Sequence, residues 1–246
     1  MKSFIFRQLI TNFYKLFFSI NLKPEKLNIN KDSKCLILTT HIEEALFGCG
    51  GMLIQNKNIF DIKCLTNGFK NIIDKDLSYE EKVNLRRKEF DNIVEKLGIN
   101  DARFFNDVDD NRLLMRYDRF KAVDLANYDY IFIPNILENN RDNKAISILL
   151  NQLLSEENHK KNLKIIMYEL NSALALPNVF VDISDSIDEK TNLLNMCKTQ
   201  TINENYSDIV KGLNRFRGSN IHKEFAEAYC MLDAADFIKI CKLYSL

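Results

Sequence analysis

Short apolar runs recur along this chain, each followed by a stretch with helical spacing, and this alternation limits the folds open to it. Cys35–Thr39, Ile62–Leu65, Arg103–Phe105, Tyr130–Ile133, Lys164–Tyr168 and Val179–Ser184 read as strands. Glu43 to about Gln55 reads as a helix. Ser78 with Glu81 forms a capping box for a long amphipathic helix that Gly98 stops. Further helices are expected at about Asp142–Leu154, Asp188–Gln200, Asn205–Phe216 and Ile221–Ala228. The connections are long enough for crossovers, so the expected fold is α/β and Rossmann-like, a mostly parallel sheet with helices on both faces. In such sheets ligands bind beyond the carboxyl ends of the strands, where His41, Asn67 and the segment after Pro134 fall.

Composition excludes several function classes. With 34 basic and 34 acidic residues the formal net charge is zero, so the electrostatic footprint of a general nucleic-acid binder is missing. The six cysteines form no close pair and lie in apolar segments, which predicts buried free thiols of a reducing cytoplasm and no cysteine-held zinc. Seven Gly and three Pro leave no long linker, and no repeat divides the chain. Residues 1–30 are expected to form an amphipathic helix and linker, and residues 31–246 a single domain.

The first 23 residues carry Lys2, Arg7, Lys15 and Lys23 and no acid. Charges interrupt the apolar core, which excludes a signal peptide, and the stretch is too short and polar to span a bilayer. Phe6, Leu9, Ile10, Phe13, Leu16, Phe17 and Ile20 share one helical face. That face suits packing on the protein body or, through residues 4–20, peripheral contact with anionic lipid on the inner membrane face.

The segment after the first strand, TTHIEEALFGCGG (39–51), places His41 before Glu43 and Glu44. A histidine and two carboxylates at a strand end suit a metal site, and equally a polar turn opening a helix. The glycines look structural and match no nucleotide-binding loop. His159 in EENHKK reads as solvated and His222 as structural. Arg86 and Glu89 are spaced as a helix-surface ion pair.

Taken in order, these segments resemble the PIG-L/LmbE-like N-deacetylases, zinc hydrolases of amino-sugar conjugates. T-H-I-E-E-A stands where that family has P-H-P-D-D-E, and CLTNG matches its second strand. RRKEFDNIVEKLGI is similar to its R-x-x-E…L-G helix, and DDNRL to its D-G-x-L loop. IFIPNILENNRDNKA stands at its strand and D-x-H-x-D-H-x-A segment. VDISDSIDEKTNLLNMCKTQ, LNRFRG and FAEAY resemble its terminal motifs. The likeness runs from about residue 33 to about 230.

The resemblance implies His41 and Glu44 as metal ligands, Glu43 as general base on the metal-bound water, and Arg86 and Asp110 as substrate-binding. Three protein ligands leave zinc an open position for water, whose proton a neighbouring carboxylate takes. The third ligand position holds Asn143, the second catalytic histidine position holds Asn140, and Ala45 replaces the motif's last acid. Amide oxygen is a poor zinc donor, so Asp142 is a possible substitute in an oxygen-rich site suited to Mn, Fe or Mg. The expected functions are a metal-dependent N-deacetylase of altered activity, or a catalytically inactive sugar-binding or regulatory relative in surface-glycan biosynthesis, free or membrane-peripheral. In either the partner is a small-molecule or glycoconjugate amino sugar.

Overall fold

A computed structural model of the protein describes residues 24–201 and 205–243. Its centre is one eight-stranded sheet built from β1 (Glu25–Lys26), β2 (Cys35–Thr39), β3 (Phe60–Cys64), β4 (Ala102–Phe104), β5 (Tyr130–Pro134), β6 (Lys164–Tyr168), β7 (Val179–Asp182) and β8 (Ala226–Asp233). The order is β1-β7-β8-β6-β5-β2-β3-β4. All pairings are parallel except those of β8, which runs antiparallel to both β6 and β7.

Helices cover both faces, as expected. One face carries α1 (Ile42–Gln55), α2 (Tyr79–Leu97), α5 (Ile187–Leu194) and α7 (Tyr206–Ser219). The other carries α4 (Arg141–Glu156) and α8 (Ala234–Leu243), with the short α3 (Tyr117–Phe120) beside them. Because side chains alternate along a strand, β2 feeds both layers: Cys35 and Ile37 enter the first core, Leu36 and Leu38 the second. Buried on both sides, such a strand reads as a continuous apolar run.

The capping box at Ser78 forms, its hydroxyl accepting from Glu81 N while the Glu81 carboxylate accepts from Ser78 N at 2.8 Å. Gly98 ends α2 with φ 65°, a left-handed conformation that only glycine adopts without strain. In α1, Gly48 lies under the ring of buried Tyr168, where any Cβ would collide.

Several expectations are corrected. Ile221–Ala228 is not a helix: residues 221–225 form a turn and Ala226 opens β8. Asp188–Gln200 divides into α5 and α6 (Lys198–Thr201). Glu25 and Lys26, expected in a linker, pair with Val179 and Phe180 at the sheet edge. All six cysteines are free and buried. The amphipathic segment at residues 4–20 lies outside the described residues. Among the described residues no helix is long and apolar enough to cross a membrane.

The chain steps outward from β2 to β3 and β4, then returns to lay β5 on the other side of β2. This reversal opens a crevice beyond the carboxyl ends of β2 and β5, the place where sheets of this kind bind ligands.

Candidate functional site

Both halves of the expected site meet at that crevice. His41 follows β2 and caps α1 through its backbone, with no side-chain cap bond. Asn140 caps α4, its Oδ1 accepting from the backbone N–H of Asp142 at 2.8 Å and of Asn143 at 3.1 Å. An open cleft of about 120 Å³ lies between them, lined by His41, Glu43, Glu44 and Asn140 together with Phe47, Asn71, Leu170, Asn171, Gln200 and Tyr206. Asn71, Gln200 and Tyr206 have no signal that single-sequence reading can use, because they come from three places far apart in the chain: a turn after β3, α6 and the start of α7.

Glu43 is 5% exposed, and both its oxygens accept from Arg86 Nη2, at 2.8 and 2.9 Å. Burial opposes ionisation of Glu43, but Arg86 and then His41 hold its carboxyl below the ordinary carboxylate range. Arg86 also donates from Nη1 to Glu89 at 3.2 Å and to Thr199 Oγ1 at 3.0 Å. The helix-surface pair with Glu89 thus exists, yet the guanidinium is 3% exposed and turned to Glu43. Arg86, expected to contact substrate, is not among the residues lining the cleft.

His41 is buried among acids. Its Nε2 stands 3.1 Å from Asp110 Oδ1, and its Nδ1 lies 3.7 Å from Glu43 and 3.9 Å from Glu44. Burial alone would lower the imidazole pKa, but Asp110, Glu44 and Glu43 raise it above its ordinary value. Asp110 also accepts from the backbone N–H of Gly68 (3.1 Å) and Lys70 (3.0 Å). Against the effect of burial, His41, the Lys70 amide and Thr66 bring the Asp110 carboxyl down to about 2. Asp110 therefore orients His41 and is withdrawn from the cleft wall.

Besides the His41 ring 3.9 Å away, Glu44 takes its hydrogen bonds from neutral groups. Thr40 Oγ1 donates to Glu44 Oε2, and Asn143 Nδ2 donates to Glu44 Oε1 at 3.0 Å. The carbonyl of Asn143 lies 3.1 Å from Thr40 Oγ1, closing a small ring of contacts between the end of β2 and the start of α4. Asp142 accepts from the backbone N–H of Asn111 and, at 3.3 Å, of Leu113. Burial nevertheless raises the Asp142 carboxyl.

These donors do not fit a metal centre. A divalent ion needs several lone pairs converging on one point. Here both oxygens of Glu43 are taken by a guanidinium and both of Glu44 by a hydroxyl and an amide. Asn143 offers Glu44 its N–H₂, and Asp142, the possible substitute ligand, is committed to the loop at 111–113. Among the described residues no group of three or more His, Cys, Asp or Glu side chains could hold a metal ion. His159 Nδ1 lies 3.1 Å from the carbonyl of Lys160, and His222 is exposed with φ 57°; neither lines the cleft.

The sheet order, the two helical layers and the crevice define the fold of the PIG-L/LmbE-type N-deacetylases. Solved structures with this fold include the N,N'-diacetylchitobiose deacetylase of Pyrococcus horikoshii in complex with an inhibitor, at 19% identity and TM-score 0.70 over 94% of both chains. A deacetylase of teicoplanin biosynthesis is 14% identical, with TM-score 0.64 over 82% of this chain and 98% of its own. The 4-carboxy-2-hydroxymuconate hydratase of Pseudomonas putida is 16% identical, with TM-score 0.58 over 80% of this chain and 95% of its own. No family model and no curated protein matches the sequence. One architecture thus carries deacetylases and a hydratase, and function must be argued from the cleft.

Proposed function

We propose that this protein binds an amino-sugar unit of a glycoconjugate in the cleft between His41 and Asn140 and does not act as a zinc N-deacetylase. The observation that carries this reading is the cross-link of Glu44 to Asn143: two positions that would converge on a metal are spent on each other. The amide at 143 and the Arg86 clamp on Glu43 leave neither a ligand set nor a free base for hydrolysis. What remains is a crevice at the fold's ligand-binding place, rimmed by carboxylates and amide side chains that suit sugar hydroxyls and amino groups. The deacetylases among the structural neighbours support the ligand class. A binding module of this kind has a place in surface-glycan assembly.

The test uses partly deacetylated chitin oligosaccharides and the purified protein, with and without added zinc or manganese. Ligand at a hundredfold excess over its Kd is expected to raise Tm by roughly 5–10 °C while no acetate is released. Zinc-dependent acetate release that Glu43→Gln abolishes would refute the proposal.

A further inference from the structure

We infer that Tyr206, together with Phe47 and Leu170, is the wall of the cleft on which a pyranose ring stacks. The protein then selects a closed hexosamine ring by its apolar face as well as by its polar groups, an inference that rests on the amino-sugar reading above. Most side chains lining the cleft are acids, amides or imidazole, but these three are not, and they belong to one cluster. Phe47 and Leu170 are part of the first core, each 8% exposed, and the half-buried Tyr206 packs against that core. Phe47 follows Glu43 and Glu44 by four and three residues on α1, so the helix that brings the acids brings this ring to the same side.

Tyr206 is firmly held. It is the first residue of α7, whose cap Asn205 accepts from the backbone N–H of Asp208 at 3.3 Å. The neighbouring Ser207 hydroxyl donates to Asn195 Oδ1 at 2.7 Å, tying the start of α7 to the end of α5. Val210, one turn further on, is fully buried. The rings of Tyr206 and Phe47 stand at 88° with centroids 6.3 Å apart, an edge-to-face arrangement that aromatic pairs prefer. A side chain positioned in this way has little rotamer freedom left to lose on binding.

A hexosamine chair has the same division as the cleft. Its hydroxyl and amino groups spread around the rim, while axial C–H groups make its faces apolar. Such C–H groups carry partial positive charge and lie favourably on the negative face of an aromatic ring. The acids and amides of the cleft meet the rim groups, and the wall of Phe47, Leu170 and Tyr206 meets a face. Reduction to the open-chain alditol keeps the polar groups but removes the rigid face.

Saturation-transfer NMR titration of the full-length protein with glucosamine, N-acetylglucosamine and their alditols tests this. Each closed sugar is expected to bind at least about tenfold more tightly than its alditol, with saturation falling more heavily on the hydrogens of one ring face than of the other. Tyr206→Ala, checked by circular dichroism, is expected to weaken both sugars at least about tenfold, whereas Tyr206→Phe keeps the ring and loses at most about threefold. Should Tyr206→Ala not fold, the alditol comparison in the wild type decides. Equal binding of sugar and alditol, an undiminished affinity in Tyr206→Ala, or a Tyr206→Phe as weak as Tyr206→Ala overturns the inference and leaves the amino-sugar reading standing. No binding of either closed sugar overturns both.

Discussion

Replacing Arg86 with methionine isolates the buried ion pair that holds Glu43 at the cleft. The guanidinium is 3% exposed, makes two bonds to Glu43, and adds one each to Glu89 and Thr199. Methionine keeps much of the volume, so the loss is mainly of charge. Glu43, itself 5% exposed, is left without its guanidinium. Breaking a buried pair by removing one partner costs about 3–5 kcal/mol. For a chain of 246 residues that corresponds to a fall in Tm of roughly 6–20 °C. The pH dependence gives a sharper check. In the native protein the Glu43 carboxyl lies below its ordinary value, so its contribution is present above the unfolded-state pKa and is lost as pH falls through the folded one. In Arg86→Met, burial dominates and lifts that carboxyl above the ordinary range, which reverses the sign. The stability gap between wild type and variant should therefore narrow as pH falls from about 7 to about 4. Urea unfolding across that range measures it, with Glu43→Gln and the double variant completing the cycle. A coupling of at least about 2 kcal/mol is expected. A loss under about 1 kcal/mol at neutral pH, or a gap independent of pH, would refute the buried clamp.

Asp110→Asn removes the contact that does most to keep His41 charged, so the imidazole pKa should fall, which its ring-proton NMR shifts report; an unchanged value would detach Asp110 from that role. In the wild type, Asp110 stabilises above its ordinary pKa of 3.8, a contribution lost as pH falls from there toward about 2. Gly48→Ala drives a methyl group into the Tyr168 ring and should cost about 1–3 kcal/mol in denaturant unfolding, and a neutral outcome would mean that α1 sits farther from β6 than described.

Much of this architecture is legible in the chain because its strands are buried on both faces. Such strands appear as unbroken apolar runs, and Lys164–Tyr168 matches its expected bounds residue for residue. The failure at β8 has a physical cause. FAEAY is rich in alanine and glutamate, both good helix formers, while the strand gains its stability from tertiary partners. Glu227 lies inward there, 1% exposed, accepting from Lys190 Nζ at 2.7 Å and from the backbone N–H of Gly51 and Met52. A strand with a buried acid carries no alternation to read. The cleft divides in the same way. His41 and Asn140 are brought to one crevice as the order of motifs suggests, since strand ends fix them. Arg86 shows its neighbour Glu89 by spacing alone, but its main partner Glu43 is 43 residues away and has no local signature.

The departures in the cleft also explain one another, which argues that they form a set. A glutamate at 43 is one methylene longer than the aspartate of the resembled motif, and it meets Arg86 through both oxygens. An amide at 143 does what an imidazole bound to a metal would not: it donates to Glu44 and stands beside Thr40. The amide at 140 serves as the helix cap for α4, satisfying two backbone N–H groups that begin the helix. Each change thus supplies a partner to a polar group that would otherwise be buried unpaired, at about 1–3 kcal/mol apiece. A cleft that had merely decayed would leave several such groups exposed to that penalty, whereas here the altered positions at 43, 140 and 143 each meet a partner.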